Sequence, residues 1–498
     1  MPGLFLFSAL VVATCGLVYE LVAGTLASYL LGDSVTQFST IIGAYLFAMG
    51  VGSWLSRYVR DDILGIFIQV EILVGVIGGC SAAVLFLLFS EVAHFRVALY
   101  GLVGLIGILV GLEIPLLLRL LEDRLALRDL VARVLAADYV GGLLASLLFP
   151  LLLVPRLGLI RTGFLFGIIN VTVALVLVYR LPGRQRRLGH QVGAAAGIIL
   201  LVAGFARAED LMALGEEGQY PGQALFARST AYQRIVVTRQ ADDIRLFLNG
   251  NLQFSSRDEY RYHEALVHPV MAAVASPRRI LVMGGGDGLA VRELLRYPAV
   301  ESVTLVDLDP EMTRLFSQSP FLAALNAGSL SSPKVHVVNA DAFVWLREPH
   351  ELYDAIIVDF PDPSNYSIGK LFSVTFYRRL GEVLAPGGWA VIQSTSPFVA
   401  PQAFWCVERT LQAAGLHTAA YHVFVPSFGE WGFVAAGHEP YRVPQELPAG
   451  LRFLTPAALP QAFEFPPDMQ RVATEVNRLD NQVLVRYFEK EWGTYLAE

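Results

Sequence analysis

The run Ile280-Leu281-Val282-Met283-Gly284-Gly285-Gly286-Asp287-Gly288 joins an apolar stretch to a glycine loop that carries one acid. The apolar residues read as a buried strand, and the glycines let a following helix N-terminus approach a ligand closely. A second strand, Leu305-Val306-Asp307-Leu308-Asp309, ends in acid about twenty residues on, the spacing at which nucleoside-binding α/β folds place a carboxylate on a ribose hydroxyl. Asp287 is the unusual member. A carboxylate in such a loop repels phosphate or carboxylate and attracts ammonium, so the loop suits a nucleoside with a cationic tail better than an ordinary dinucleotide.

More acids follow at strand ends. Asn339-Ala340-Asp341-Ala342 closes one candidate strand, and Val358-Asp359-Phe360-Pro361-Asp362-Pro363 closes another. Asp359 and Asp362 bracket a proline-containing turn that would hold both carboxylates toward one cleft. Taken singly, Asp341 and Asp362 are equally well read as caps of helices or turns, which Asp often provides. Asp287, Asp307, Asp341 and Asp359 at the ends of strands in one sheet favour a common cation-binding cleft. No metal-ligand spacing is visible, and Cys15, Cys80 and Cys406 lie too far apart in sequence to suggest a disulfide framework.

These residues need a sheet to hold them. Residues 231–237 and 244–248 read as strands, and Asn249-Gly250 before Leu252-Gln253-Phe254 is a two-residue hairpin signal. A helix is expected near 259–274. Beyond the glycine loop, strands are expected at 335–339, 355–359, 389–394 and 432–436. The expected architecture is a linker and small β domain over 207–275, then a Rossmann-like α/β domain with a mostly parallel sheet over 276–498. Ligands of such sheets bind at the carboxyl ends of the strands, where the acids collect.

The first 206 residues are of another kind. The 498-residue chain is 54% hydrophobic and 16% charged, with a mean hydropathy of +0.52, and the apolar residues concentrate in this part. Apolar segments at about 4–31, 36–56, 63–90, 94–120, 131–155, 160–180 and 190–206 predict an all-α polytopic membrane domain of six or seven spans. The run near the N-terminus lacks a basic flank and exceeds a signal-peptide core, so it reads as a retained span. Loops near 57–62, 119–133 and 180–190 hold ten Arg against three in the alternate loops, which places the N-terminus in the cytoplasm. Six spans then leave the rest of the chain in the cytoplasm, with 190–206 interfacial or re-entrant; seven would place it outside. Glu20, Glu71, Glu113 and Asp138 fall within apolar segments. They read either as a cation path or as acids paired near helix ends, Glu113 with Arg119 for instance. The net charge of −7 argues against nucleic-acid binding.

From about 220 to 437 the chain resembles the spermidine synthase (polyamine aminopropyltransferase) family. The resemblance is carried by Tyr232-Gln233, Gln253, the run from Asp258 to Glu264, the Gly284–Gly288 loop, Asp307, Asp341, and Asp359 with Asp362-Pro363. Leu371-Phe372 to Phe376-Tyr377 and Pro426-Ser427-Phe428-Gly429 to Trp431-Gly432-Phe433 also fit. The apolar half resembles that of the membrane-fused members, Tyr19-Glu20 and Asp138-Tyr139 being among the matching pieces.

The resemblance implies decarboxylated S-adenosylmethionine as co-substrate, with nothing bound permanently and no metal. It implies that Gln233, Gly284, Gly286, Asp287, Asp307 and Asp341 hold the nucleoside and its aminopropyl tail. Gln253, Tyr262, His263, Asp359 and Asp362 would line the polyamine side, with Asp359 catalytic. It further implies a homo-oligomer and a small-molecule polyamine partner; the apolar segments make the lipid bilayer a partner and imply a multi-pass place in the cell (inner) membrane, and the cytosolic co-substrate favours the cytoplasm for the catalytic domain. Two positions depart from the common pattern: Phe360 stands for Ser or Thr, and Phe428 for Tyr. Both are expected to make the acceptor pocket more apolar, so putrescine is only the default acceptor. A polyamine transporter or sensor, or a methyltransferase using S-adenosylmethionine, are the competing expectations. Asp287 disfavours the last, because S-adenosylmethionine would bring a carboxylate toward it.

Overall fold

The structure, a computed structural model, describes the chain except residues 1, 32–33, 90–94, 123–125, 180–183, 217–219, 231, 349–350 and 498. Of the first expected strand, Ala231 therefore lies outside the described residues. The chain divides into two compact units, Met1–Tyr220 and Pro221–Glu498.

The first unit is helical: α1 (Pro2–Leu31), α2 (Ser34–Leu55), α3 (Ile63–Phe89), α4 (Phe95–Leu121), α5 (Leu127–Leu148), α6 (Val154–Val178), α7 (Arg184–Ala206) and α8 (Ala208–Glu216). Small residues set the packing distance. A Cβ on Gly111 of α4 would fall 2.6 Å from the Met49 Cα of α2, so any larger residue there would push the two helices apart. The loop expected near 154–161 is absent. The chain stays helical through a π-turn at Phe149–Leu153, and the break is confined to Gly158, at φ +72°. Pro155 removes one backbone donor just before it, and glycine tolerates the left-handed conformation. Residues 190–206, expected as a seventh span or as an interfacial or re-entrant segment, belong to the continuous helix α7. That helix packs on α3 and α6 with Ala194 and Leu201 fully buried. Glu113 does not pair with Arg119, whose guanidinium instead donates to the Ser56 and Val59 carbonyls at 2.6 and 2.7 Å.

The second unit begins with an antiparallel sheet in the order β1 (Gln223–Ser229), β2 (Arg234–Gln240), β3 (Asp243–Leu248), β4 (Asn251–Ser255). The β3–β4 turn places Asn249 and Gly250 at φ +50° and +85°. That suits a two-residue primed turn and fixes the register with Leu248 opposite Asn251. Then come α9 (Glu259–Met271), β5 (Arg279–Gly284), α10 (Leu289–Leu294), β6 (Ser302–Asp307), α11 (Pro310–Gln318) and α12 (Pro320–Leu325). They are followed by β7 (Val335–Asn339), α13 (Ala342–Trp345), β8 (Tyr353–Asp359), α14 (Tyr366–Gly369), α15 (Val374–Val383) and β9 (Leu384–Gln393). The last elements are α16 (Pro401–Ala413), β10 (His417–Val425), β11 (Gly429–Gly437) and α17 (Val483–Ala497).

The second sheet runs β10-β11-β9-β8-β5-β6-β7. Its five strands from β9 to β7 are parallel, while β11 and β10 are antiparallel additions. Both faces are covered, which explains the unbroken apolar runs. Ile280, Val282 and Leu305 enter one core, and Leu281, Met283 and Val306 the other. Strands β1 and β10 were not expected from the sequence.

Candidate active site

Strand register gathers the acids. Gly284 at the end of β5 lies opposite Asp359 at the end of β8, and Asp307 at the end of β6 lies opposite Asn339 at the end of β7. The glycine loop therefore sits between Asp359 on one side and Asp307 on the other. Gly284 takes φ +80° against the Asp359 backbone. A Cβ on Gly286 would fall 2.7 Å from Asp307 Oδ2, the atom that accepts the Gly286 N–H at 3.1 Å. Only glycine permits that approach. The helix after the loop, α10, is a single short segment, Leu289–Leu294. Asp287 Oδ1 accepts its first N–H, from Leu289, at 2.9 Å.

Asp307 also accepts the Asp309 N–H at 2.8 Å, and burial pushes its carboxyl up to about 6. Asp309 is itself buried and accepts from Thr230 Oγ1 (2.8 Å) and from the Gln233 amide (3.1 Å). Gln233 is thus brought to the β6 end by a carboxylate that sequence reading placed in a strand but gave no role. Asp341 caps α13 through the Phe343 N–H (2.8 Å), and Lys370 Nζ lies 2.7 Å from its other oxygen. Burial works against its ionisation, but Lys370 outweighs that and holds the carboxyl below its usual range.

The polyamine-side residues cluster at the β8 end. Asp359 Oδ1 accepts the Tyr262 hydroxyl at 2.6 Å. Burial raises the Asp359 carboxyl to about 6, with Asp287 adding repulsion, while the nearby His263 and the Tyr262 bond pull it down. Asp362 accepts from the Gln393 amide at 3.2 Å and is pushed up to about 7 by burial. Gln393 cannot turn away, because its amide also donates to the Phe360 carbonyl (2.7 Å) and its oxygen accepts from Trp431 Nε1 (3.2 Å).

His263 is buried, with Nδ1 on the Glu259 carbonyl (2.8 Å) and carboxylate (2.9 Å). Arg292 grips Glu259 with two bonds, at 3.0 and 2.9 Å. Burial opposes a charge on His263, but Glu259, with Asp287 and Asp359 nearby, raises its pKa overall. Asp287 is held up chiefly by its own burial.

Two expected residues sit differently. The Gln253 amide donates to the Asn251 carbonyl in its own strand, at 3.1 Å, not into the acid cluster. Phe360 is not an acceptor-side surface. It is buried in the core against Phe372 and Phe376, with ring centroids 6.4 and 5.8 Å away. Phe428 does reach the site, edge-on to Tyr262 at 6.1 Å. Its loop is fixed by Asp258, which accepts from the Ser427 N–H (2.7 Å) and hydroxyl (2.9 Å). A cleft of about 390 Å³ lined by Trp405, Phe463, Phe465 and Arg471 contains none of the expected site residues.

Of the supporting residues, Asp309 and Glu259 lie inside the motifs read from the sequence but without an expected role, whereas Arg292, Lys370 and Gln393 come from elsewhere in the chain. The arrangement can bind cationic groups, and at neutral pH it offers carboxylates that exchange protons readily.

Comparison with known proteins gives a family for the chain. Residues 259–444 match the Spermine/spermidine synthase domain family. Polyamine aminopropyltransferase 2 of Ralstonia nicotianae is 56% identical over 500 residues, covering 98% of each chain. The polyamine aminopropyltransferase of Leptospira interrogans is 52% identical over 490 residues, again with 98% of each chain covered. Polyamine aminopropyltransferase 1 of Streptomyces coelicolor is 42% identical, covering 99% of this chain and 95% of the relative. A spermidine synthase crystallised with the transition-state analogue AdoDATO aligns at a TM-score of 0.46 and 22% identity, over 55% of this chain and 89% of that one.

Proposed function

We infer a specific reaction for this chain, which belongs to the polyamine aminopropyltransferase family: transfer of the aminopropyl group of decarboxylated S-adenosylmethionine to a di- or polyamine, with release of methylthioadenosine. The chain is an aminopropyltransferase; the donor, the default acceptor putrescine, and the residue roles below are our reading. The observation that carries it is the placement of Asp359 across from the glycine loop, hydrogen-bonded to Tyr262 and close to the charge of His263.

An amine acceptor arrives as an ammonium and has no lone pair. Asp359 and Asp362 attract it, and an ionised Asp359 takes the proton as nitrogen approaches the carbon beside the sulfonium. Nitrogen–carbon bond formation and carbon–sulfur cleavage then occur in line, and the sulfonium leaves as the neutral thioether. The protein supplies alignment and charge, with no covalent intermediate. In this reading Asp307 takes the ribose hydroxyls, Asp341 the adenine amino group once it is released from Lys370, and Gln233, Gly284 and Gly286 border the nucleoside. Asp287 faces the aminopropyl ammonium and disfavours a carboxylated donor. Tyr262 and His263 hold Asp359 ionised, and Gln253 borders the acceptor only if its amide leaves Asn251.

The helical unit is read as the membrane anchor. Among the described residues, six stretches are long and apolar enough to cross a membrane. The fifth, Arg128–Val178, has 51 residues and is broken at Gly158, so at roughly 1.5 Å per residue it is long enough to cross twice. The cytoplasmic placement of the catalytic unit rests on the cytosolic nucleoside. With seven crossings it requires α1 to begin outside, against the arginine distribution. An impermeant maleimide on a cysteine introduced at 438–450 tests this in intact cells: protection supports the cytoplasmic placement and labelling removes it.

The reaction is tested by methylthioadenosine release from the purified full chain with decarboxylated S-adenosylmethionine and a panel of di- and triamines. Amine-dependent release identifies the acceptor. Nucleoside binding without product for any amine would overturn the reaction.

A further inference from the structure

The transferase leaves one cluster of buried ionisable groups unused, inside the helical unit. Glu71 of α3 and Glu113 of α4 are buried and interact with each other electrostatically. Asn170 of α6 donates to Glu71 Oε2 at 3.0 Å and to the Glu71 carbonyl at 2.8 Å. Glu71 Oε1, Glu113 Oε1, Asn170 Oδ1 and the Tyr19 hydroxyl are buried with no hydrogen-bond partner. The ring of Tyr19 lies against Gly78 of α3, where a Cβ would fall 2.7 Å away, and its hydroxyl interacts with both glutamates.

The groups facing this cluster are Cys15 and Tyr19 from α1, Tyr45 from α2, and Asp138 from α5. Among the described residues no Lys, Arg or His faces it; Arg119, on the same helix as Glu113, is spent on the carbonyls of Ser56 and Val59. A cavity of about 20 Å³ lies between Glu113 and Asp138, walled by Val12, Phe67, Leu117 and Val134.

Two facing carboxylates in apolar surroundings cannot both stay charged without a neutralising partner, because desolvation and repulsion act together. The described residues supply no cation, and oxygens from four helices are left without partners. The cavity of about 20 Å³ on the Asp138 side of Glu113 is of the order that holds one water or one small ion, so it gives such an ion, and not an amine chain, access to Glu113.

We propose that the helical unit holds an exchangeable site for one small monovalent cation, a proton or a sodium-sized ion, between Glu71 and Glu113, with Tyr19 and Asn170 completing its oxygen shell. Asp138, half-buried beside the same cavity, is the entry side. The site is independent of the aminopropyl transfer and of the residues assigned to it.

The test treats the full chain in detergent with dicyclohexylcarbodiimide, which attacks protonated carboxyls in apolar surroundings, and locates the adducts by peptide mass spectrometry. In sodium-free choline buffer, adducts are expected at Glu71 or Glu113. A proton site loses them by about tenfold per pH unit above its titration point. A sodium site loses them at fixed pH when NaCl replaces choline chloride. The absence of adducts at both acids at every pH, or adducts indifferent to both pH and sodium, would overturn the proposal. Methylthioadenosine release on the same preparation reports the transferase separately, so failure of one reading does not mimic failure of the other. Glu71→Gln and Glu113→Gln, close in shape to the originals, serve as controls for adduct position.

Discussion

Both units bury carboxylates, but they treat them differently. In the catalytic unit each acid meets a donor: Asp359 the Tyr262 hydroxyl, Asp362 the Gln393 amide, Asp341 the Lys370 ammonium, Asp287 a backbone N–H. In the helical unit Glu71 also accepts from Asn170, yet Glu71 and Glu113 each keep a buried oxygen with no partner. A donor fixes where a carboxylate points and keeps it ionisable near neutral pH, which suits positioning an amine and taking its proton. Unpartnered oxygens suit lodging a positive charge. The residue type is the same; the neighbours decide the chemistry.

The largest expected effect comes from removing the partnered acid proposed to take the acceptor's proton. Asp359→Asn should lower kcat by about a thousandfold while nucleoside binding persists, measured by methylthioadenosine release beside equilibrium binding of the nucleoside. A loss of binding with no change in kcat would move Asp359 to the nucleoside side.

Taking the donor away instead of the acid sharpens the comparison. Tyr262→Phe removes a bond that favours the charged form, so the Asp359 carboxyl should rise above its present value of about 6. The acid limb of kcat/KM against pH should move to higher pH, with roughly a tenfold loss at neutral pH. An unmoved acid limb would mean that Tyr262 only packs.

Stability should respond in the opposite sense to activity. The folded chain keeps the Asp359 proton up to about pH 6, whereas an unfolded aspartate loses it near about pH 4. As pH rises through that window the folded state loses ground, by up to about 3 kcal/mol for a fully retained shift. Asp359→Asn should therefore raise the Tm at pH 8 and converge with the parent below pH 4; thermal melts across that range would show it. A Tm gain that persists in acid would point to packing.

The smallest effect is expected at the half-exposed pair. Lys370→Met frees Asp341 from its ion pair and should tighten nucleoside binding only about twofold, with under 1 kcal/mol change in stability, because the pair is solvent-screened. Weaker binding would make Lys370 a nucleoside contact.

Much of this was legible in the sequence because strand ends and glycine loops are local. The β5 loop, Asp307, Asp341, Asp359 and the Asn249-Gly250 turn all lie in their expected places. Strand β1 was not legible. It is an edge strand, exposed at nearly every position, so burial imposes no alternation on it. Strand β10 pairs only with β11, on one side, and opens on the polar and small residues His417, Thr418, Ala419 and Ala420, so that only its second half reads as a strand. The donors were hidden for another reason: Gln393, Lys370 and Arg292 reach the acids from other strands and helices, and spacing along the chain does not encode such meetings. Phe360 was misread because alternation sends its ring to the core while its neighbour Asp359 faces the cleft. In the helical unit hydropathy marked the helices, but it could not separate a loop from a helix broken at Gly158.

The most direct test of the comparison sets the two kinds of acid side by side in one assay. Methylthioadenosine release under single-turnover conditions is measured for the full chain, for Asp359→Asn, and for the Glu71→Gln/Glu113→Gln pair. The account predicts that Asp359→Asn abolishes turnover while the helical pair turns over at the parental rate. Turnover that survives Asp359→Asn, or that disappears with the helical pair while nucleoside binding is intact, would contradict it.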